Sequence, residues 1–290
     1  MVKAVGLAKQ GRWTTWEIVQ DRPLSWKELW TIDQGRLSFF LRALTDLLPS
    51  PTNLVTWGIQ DNDSCTQCGQ HCSLNHILSS CKTALAEGRY RWRHDKVLTE
   101  IARVVDQRRV KANQERIPTE KTLISFCKEG QINYSASKKT ISHPSILSRA
   151  VDWKLQVDVM QKLIFPQEIA VTTLRPDLIL TSQSSKSIII VELTVPWEER
   201  IDVSHELKFA KYQGLVEEAQ TKGWQALQFP IEVGCRGFPA TSLRYLLKQL
   251  GLATALIRKE MKAIGAVAES SSRWLWLRRN DKWTISASEG

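Results

Sequence analysis

The chain has 290 residues, a formal net charge of +10 and a pI near 9.4, which is enough length for one medium domain plus a smaller unit and a charge that points to a polyanion, nucleic acid first. Hydrophobic content of 42% and charged content of 24% suit a soluble globular protein. No apolar run reaches bilayer-spanning length, and the N-terminal MVKAVGLAKQGRW lacks the apolar core of a signal peptide.

Residues 1–60 read as a helical segment. SWKELW and RLSFFLRALTDLL carry apolar residues at helical spacing, and Pro49 and Pro51 break the pattern. Trp13, Trp16, Trp26 and Trp30 are read as packing residues rather than base-stacking ones. Residues 61–100 contain, at 65–81, CTQCGQHCSLNHILSSC, which holds four of the six cysteines. Such clustering without a secretory signal argues for a metal site over disulfides. The favoured ligands are Cys65, Cys68, His76 and Cys81, with His71 and Cys72 as alternatives. Cys65-x2-Cys68 makes a tight turn and His76-x4-Cys81 spans about one helical turn. Three thiolates and one imidazole make a closed, structural Zn²⁺ site.

GRYRWRHDKVL follows, with Arg89, Arg91 and Arg93 alternating with Tyr90 and Trp92. Arg89, Arg91, Trp92 and Arg93 are therefore expected to contact nucleic acid through phosphates and stacked bases. His94-Asp95 is discounted as an acid/base pair, because adjacent side chains rarely face each other. KVLTEIARVV reads as a helix, and residues 101–142 as a basic linker, polar from 106 to 114.

Residues 143–251 read as the main α/β unit. HPSILSRAVDWKLQVDVMQKLIF is expected to be a helix with one buried face, carrying Asp152 and Asp158. EIAVTT reads as a first strand. Leu178-Ile179-Leu180 and Ile188-Ile189-Ile190-Val191 read as two buried strands joined by a polar turn. A hairpin there brings Asp177 and Glu192 side by side, a pair that suits Mg²⁺. The helix expected over 197–222 carries Lys208, Lys211 and Tyr212 on one face. Either lysine could reach back to the acids and stabilise charge on a reacting phosphate. A strand over QALQFPIEVGCRG and a helix over TSLRYLLKQLG complete the unit. Residues 252–290 read as a helix over 252–268 and a basic aromatic tail, expected either to touch nucleic acid or, at least as readily, to pack Trp274 and Trp276 in a strand-like way.

Pro176-Asp177, fourteen intervening residues and Glu192 resemble the core of restriction-enzyme-like nucleases, although Thr194 stands where a lysine is expected. VELTVPWEER followed by KFAKY is more similar to one branch, the endonuclease domain of some non-LTR retrotransposon polyproteins. That branch carries its lysine on the next helix with a tyrosine after it. CxxCG with LxHILxxC resembles the zinc knuckle of the same proteins, and the segment before it resembles their linker to the reverse transcriptase. The resemblance covers residues 10–100 and 140–285 in broad terms. It implies an α+β, restriction-endonuclease-like mixed sheet flanked by helices, preceded by a helical linker and a zinc knuckle. It also implies catalytic Asp177, Glu192, Lys208 or Lys211, and Tyr212, with Mg²⁺ held by Asp177, Glu192 and the weaker candidate Asp158. The expected activity is Mg²⁺-dependent nicking of DNA for target-primed reverse transcription. Element RNA and the polymerase domain are the further partners, with assembly in the cytoplasm and action in the nucleus. The rival expectation is an inactive nucleic-acid-binding remnant.

Overall fold

The structure is a computed structural model that describes residues 5–115, 145–159 and 162–283. Most of the expected basic linker, 116–142, lies outside these residues. The mixed α/β architecture is present, with a four-stranded sheet between helices and a Cys/His cluster ahead of it.

The N-terminal segment forms α1 (Trp26–Thr31), α2 (Gln34–Leu44) and α3 (Pro51–Thr56). Pro51 starts α3 rather than breaking a helix. It stands in the first turn, where no amide donor is needed, and the Ser50 hydroxyl caps the Asn53 amide. After the Cys/His cluster come α4 (Lys82–Ala86) and the long α5 (Arg89–Gln114).

The strands are β1 (Lys154–Val157), β2 (Leu178–Ser182), β3 (Ser187–Thr194) and β4 (Gln225–Glu232), in the order β1-β2-β3-β4. The first three are antiparallel neighbours. β4 runs parallel to β3 and is reached through α6 (Ile201–Thr221), the crossover that a parallel pair requires. Two further helices, α7 (Thr241–Gln249) and α8 (Thr254–Leu277), close the fold.

β2 and β3 are buried almost throughout, which their unbroken apolar runs require. Successive side chains take opposite faces. Leu178, Leu180, Ile189, Val191 and Leu193 join the core shared with α5, α7 and α8. Ile179, Ile188 and Ile190 pack against Tyr212, Leu215 and Ala219 of α6. By the same alternation Asp177 and Glu192 belong to the α6 face. Cysteines and aliphatic residues of the Cys/His segment are part of the first core, so that segment is packed onto the rest.

Four sequence expectations are corrected. The helix expected from residue 143 is a short 3-10 turn (Ile146–Arg149) followed by β1. Trp153, Leu155 and Val157 alternate with polar residues, a strand period that the helical reading overlooked. EIAVTT is not a strand: Ile169 and Ala170 are buried in a turn closed by their amides on the Pro166 carbonyl. The polar 106–114 stretch is not a linker but the end of α5. Val104, Val105 and Ala112 are buried there, and Arg109 and Asn113 both donate to the Trp153 carbonyl. Trp274 and Trp276 lie on α8 rather than in a strand.

The hairpin turn after β2 is held by Asp152. Its carboxylate accepts from the Ser182 and Ser184 hydroxyls and the Ser184 amide, at 2.5, 2.6 and 2.9 Å. Burial opposes the charge, but these donors hold the Asp152 carboxyl down to about 2.

Candidate active site and metal centre

Cys65, Cys68, His76 and Cys81 come together as expected. Their ligand atoms all lie within 4.8 Å of one another, and Cys68 Sγ stands 3.3 Å from His76 Nε2. The first two cysteines sit on a turn closed by the Gly69 amide on the Cys65 carbonyl, 2.8 Å. Gly69 adopts φ +72 there, a conformation that costs glycine little. A π-helical turn, His76–Ser80, presents the other two. Tyr90 of α5 locks that turn: its hydroxyl donates toward the His76 and Ile77 carbonyls and accepts from the Cys81 amide.

The two alternative ligands fall away. His71 points to the surface, where Nδ1 meets Asp63 at 2.6 Å. Cys72 is buried but outside the four-donor set. A closed set of three thiols and one imidazole can hold a metal such as Zn²⁺. Purified protein is expected to carry about one zinc per chain by elemental analysis, and a Cys65→Ser/Cys68→Ser variant almost none.

The carboxylates meet in a row across three strands. Val157 pairs with Leu178, and Leu178 with Val191. One residue further on, the Asp158 amide donates to the Asp177 carbonyl at 2.8 Å. The Asp177 amide donates to Glu192 Oε2 at 3.2 Å, and the Leu193 amide to Asp177 Oδ2 at 2.8 Å. Asp158, Asp177 and Glu192 are thus neighbours in register, and all three are buried. Asp158 is reached from the end of β1, not from the helix that the sequence suggested.

Two helices bring cations to this row. From α6, Lys208 Nζ lies 2.6 Å from Glu192 Oε1, and Lys211 Nζ lies 3.3 Å from the same oxygen. Both candidate lysines therefore reach Glu192. Lys211 also donates to the Tyr212 hydroxyl at 2.9 Å, and that hydroxyl donates to the Arg175 carbonyl at 3.0 Å. Burial, with the charge of Glu192, pushes the Tyr212 hydroxyl well above its usual range, so it stays protonated. From α5, His94 Nε2 lies 3.2 Å from Asp177 Oδ2 while Nδ1 lies 3.0 Å from Asp95 Oδ1. Arg91 of the same helix meets Asp95 at 2.9 Å and Asp158 at 3.6 Å.

His94 is the residue that the sequence reading discounted. Arg91, His94 and Asp95 stand at i, i+3 and i+4, one face of a helix, and that spacing was the available signal. Burial works against its charge, yet the bonds to Asp177 and Asp95 outweigh burial and raise the imidazole to about 9 from its ordinary 6.5. Asp177 is held low for the reciprocal reason, its own burial being overcome by His94. The stabilisation from His94 is fully present below pH 6.5 and is lost as pH rises through about 9. Urea unfolding is expected to show stability falling across that window, and His94→Gln should remove the slope.

Of the four residues expected to touch nucleic acid, two are spent on the fold. Arg89 is 3% exposed and donates to the Arg278 and Asp281 carbonyls. Arg93 is 1% exposed and bonds Leu78, Val195 and Ser272. Both guanidiniums are buried against these acceptors and present no open face to a phosphate, so the expectation is corrected for both. Trp92 packs against Trp274 and Trp283, and Arg91 serves the acid row.

Among the described residues, the Cys/His set is the only group of three or more metal-capable side chains whose donors converge. The acid row is aligned but is not a preformed cage for Mg²⁺. No protein-family model matches this chain, and no curated protein matches it.

Proposed function

We propose that this chain is a divalent-metal-dependent endonuclease that cuts phosphodiester bonds in DNA. The observation that carries the reading is the row of Asp158, Asp177 and Glu192 with lysines of the following helix set against it. Carboxylate oxygens are the hard donors that Mg²⁺ prefers. That ion is commonly held by one or two carboxylates, with waters and substrate phosphates filling its other positions, so a full protein cage is not needed. Asp177 and Glu192 would hold it, with Asp158 beside them. When bound, it supplies Lewis-acid neutralisation of charge on the scissile phosphate.

The remaining work falls to the chain's own side chains. Lys208, nearest to Glu192, places a cation where charge grows on the phosphate oxygens, and Lys211 stands behind it, steadied by Tyr212. His94, held by Asp95, keeps the Asp177 carboxylate ionised and aimed. The net charge of +10 favours approach of a polyanion. The resemblance to non-LTR retrotransposon endonucleases supplies the biological setting, with DNA nicked in the nucleus to prime reverse transcription of element RNA beside a polymerase domain. The Cys/His cluster fits the zinc knuckle of that reading.

A second reading, an inactive nucleic-acid-binding remnant, draws on one feature: each acid of the row already has a cation or amide partner. Incubating supercoiled plasmid with purified chain in Mg²⁺ and in EDTA separates the two. Nicked circles in Mg²⁺ alone support the nuclease, and intact plasmid in both leaves only the remnant.

A further inference from the structure

A cavity of about 380 Å³ opens between the 20–23 segment, the 237–239 turn, α7 and the start of α8. It shares no residue with the acid row. Arg22, Arg244, Arg258 and Lys262 line it, with Asp21 the one acid of the lining and Glu28 outside it ion-paired with Lys262, and Ile257 and Met261 give it an apolar wall. Arg258 and Lys262 stand one helical turn apart and so share a face of α8.

Arg22 is the unusual member. Its side chain is only 8% exposed. Nη2 donates to Glu269 Oε2 at 2.8 Å, and the guanidinium sits 4.5 Å over the Phe40 ring. Nε and Nη1 have no hydrogen-bond partner among the described residues. Buried donors are almost always satisfied, so two orphans on one arginine point to a missing acceptor. Glu269 does not cancel the charge of Arg22 alone, because it is shared with Arg36, also at 2.8 Å. The approach of Arg22 depends on Gly237, which adopts φ +97 at the cavity wall. A Cβ there would stand 2.7 Å from Arg22 Nη1.

We propose that this cavity binds a phosphate ester, with Arg22 at its base and Arg244, Arg258 and Lys262 around it. A guanidinium is the donor best shaped for phosphate oxygens. The cavity has the size of a small-ligand site and admits a nucleotide, whose sugar or base would lie on Ile257 and Met261. The phosphate comes either from a nucleic-acid strand or from a free nucleotide. The site is independent of whether the acid row cuts DNA.

The test uses the full chain in EDTA, so that cutting does not intervene. A short fluorescein-labelled DNA is titrated between about 50 and 200 mM salt. Inorganic phosphate and adenosine monophosphate are titrated by calorimetry. The comparison is wild type against Arg22→Met and against the surface pair Arg258→Gln/Lys262→Gln, whose side chains lie outside the core. If a strand fills the site, the pair variant lowers the salt slope of DNA binding by about one per cation removed. If a free nucleotide fills it, adenosine monophosphate or phosphate binding weakens about tenfold or more while DNA binding holds, as removal of a hydrogen bond to a charged group predicts. Either result supports the site and names its source. Wild-type chain that binds none of the three probes, or a pair variant unchanged toward all of them, overturns it. If Arg22→Met unfolds, the pair variant decides.

Discussion

Asp177→Ala is expected to abolish Mg²⁺-dependent plasmid nicking, by on the order of 10³-fold or more, the scale on which a single preorganised electrostatic group acts. Asp177 is the centre of the acid row. It touches Glu192 through its amide, Asp158 through its carbonyl, and His94 and the Leu193 amide through its carboxylate. Its removal deletes one of the two main oxygen ligands proposed for the ion. It also leaves the raised imidazole of His94 with Asp95 as its remaining carboxylate. Breaking a buried pair in this way costs about 3 kcal/mol or more, so thermal melting must accompany the assay. Asp177→Asn keeps the volume and separates lost chemistry from lost fold. A variant that remains folded yet nicks as fast as wild type would remove the acid row from the mechanism.

Cys81→Ser is expected to have the largest effect on stability. Structural zinc contributes about 10 kcal/mol or more in zinc-finger peptides, which is comparable with the whole stability of a domain. Here the loss would not stay local. Tyr90 clamps the π-helical turn that carries His76 and Cys81, and Arg93 bonds the Leu78 carbonyl beside it. Both belong to α5, the helix that delivers Arg91 and His94 to the acid row. The variant, or wild type treated with a strong zinc chelator, should melt many degrees lower and release the α5 amides to hydrogen exchange. The pH dependence has a definite sign. Burial raises the Cys81 thiol to about 11, and a thiol must lose its proton to bind metal. Zinc affinity should therefore fall as pH falls, measured by competition with a chromophoric chelator. A variant that melts like wild type would show that the cluster carries no structural metal.

Local pattern carried a large part of this molecule. The β2–β3 hairpin, the meeting of Asp177 and Glu192, the lysine face of α6 and the Cys65, Cys68, His76, Cys81 set were all legible. Each depends on spacing along one short segment, where strand period, helix period or a tight turn dictates which side chains converge. The same local logic failed where a segment's partner lay far along the chain. Residues 106–114 look like a linker until Trp153 supplies an acceptor for Arg109 and Asn113. Arg89 and Arg93 look like phosphate ligands until carbonyls from 78, 195, 278 and 281 close around them. His94 and Asp177 are separated by 83 residues, and Arg22 and Glu269 by 247. A charged side chain has the same local signature whether it ends in water, on a substrate or in the core. Its role depends on which acceptors the folded chain brings within about 3 Å of it, and no short-range period encodes that.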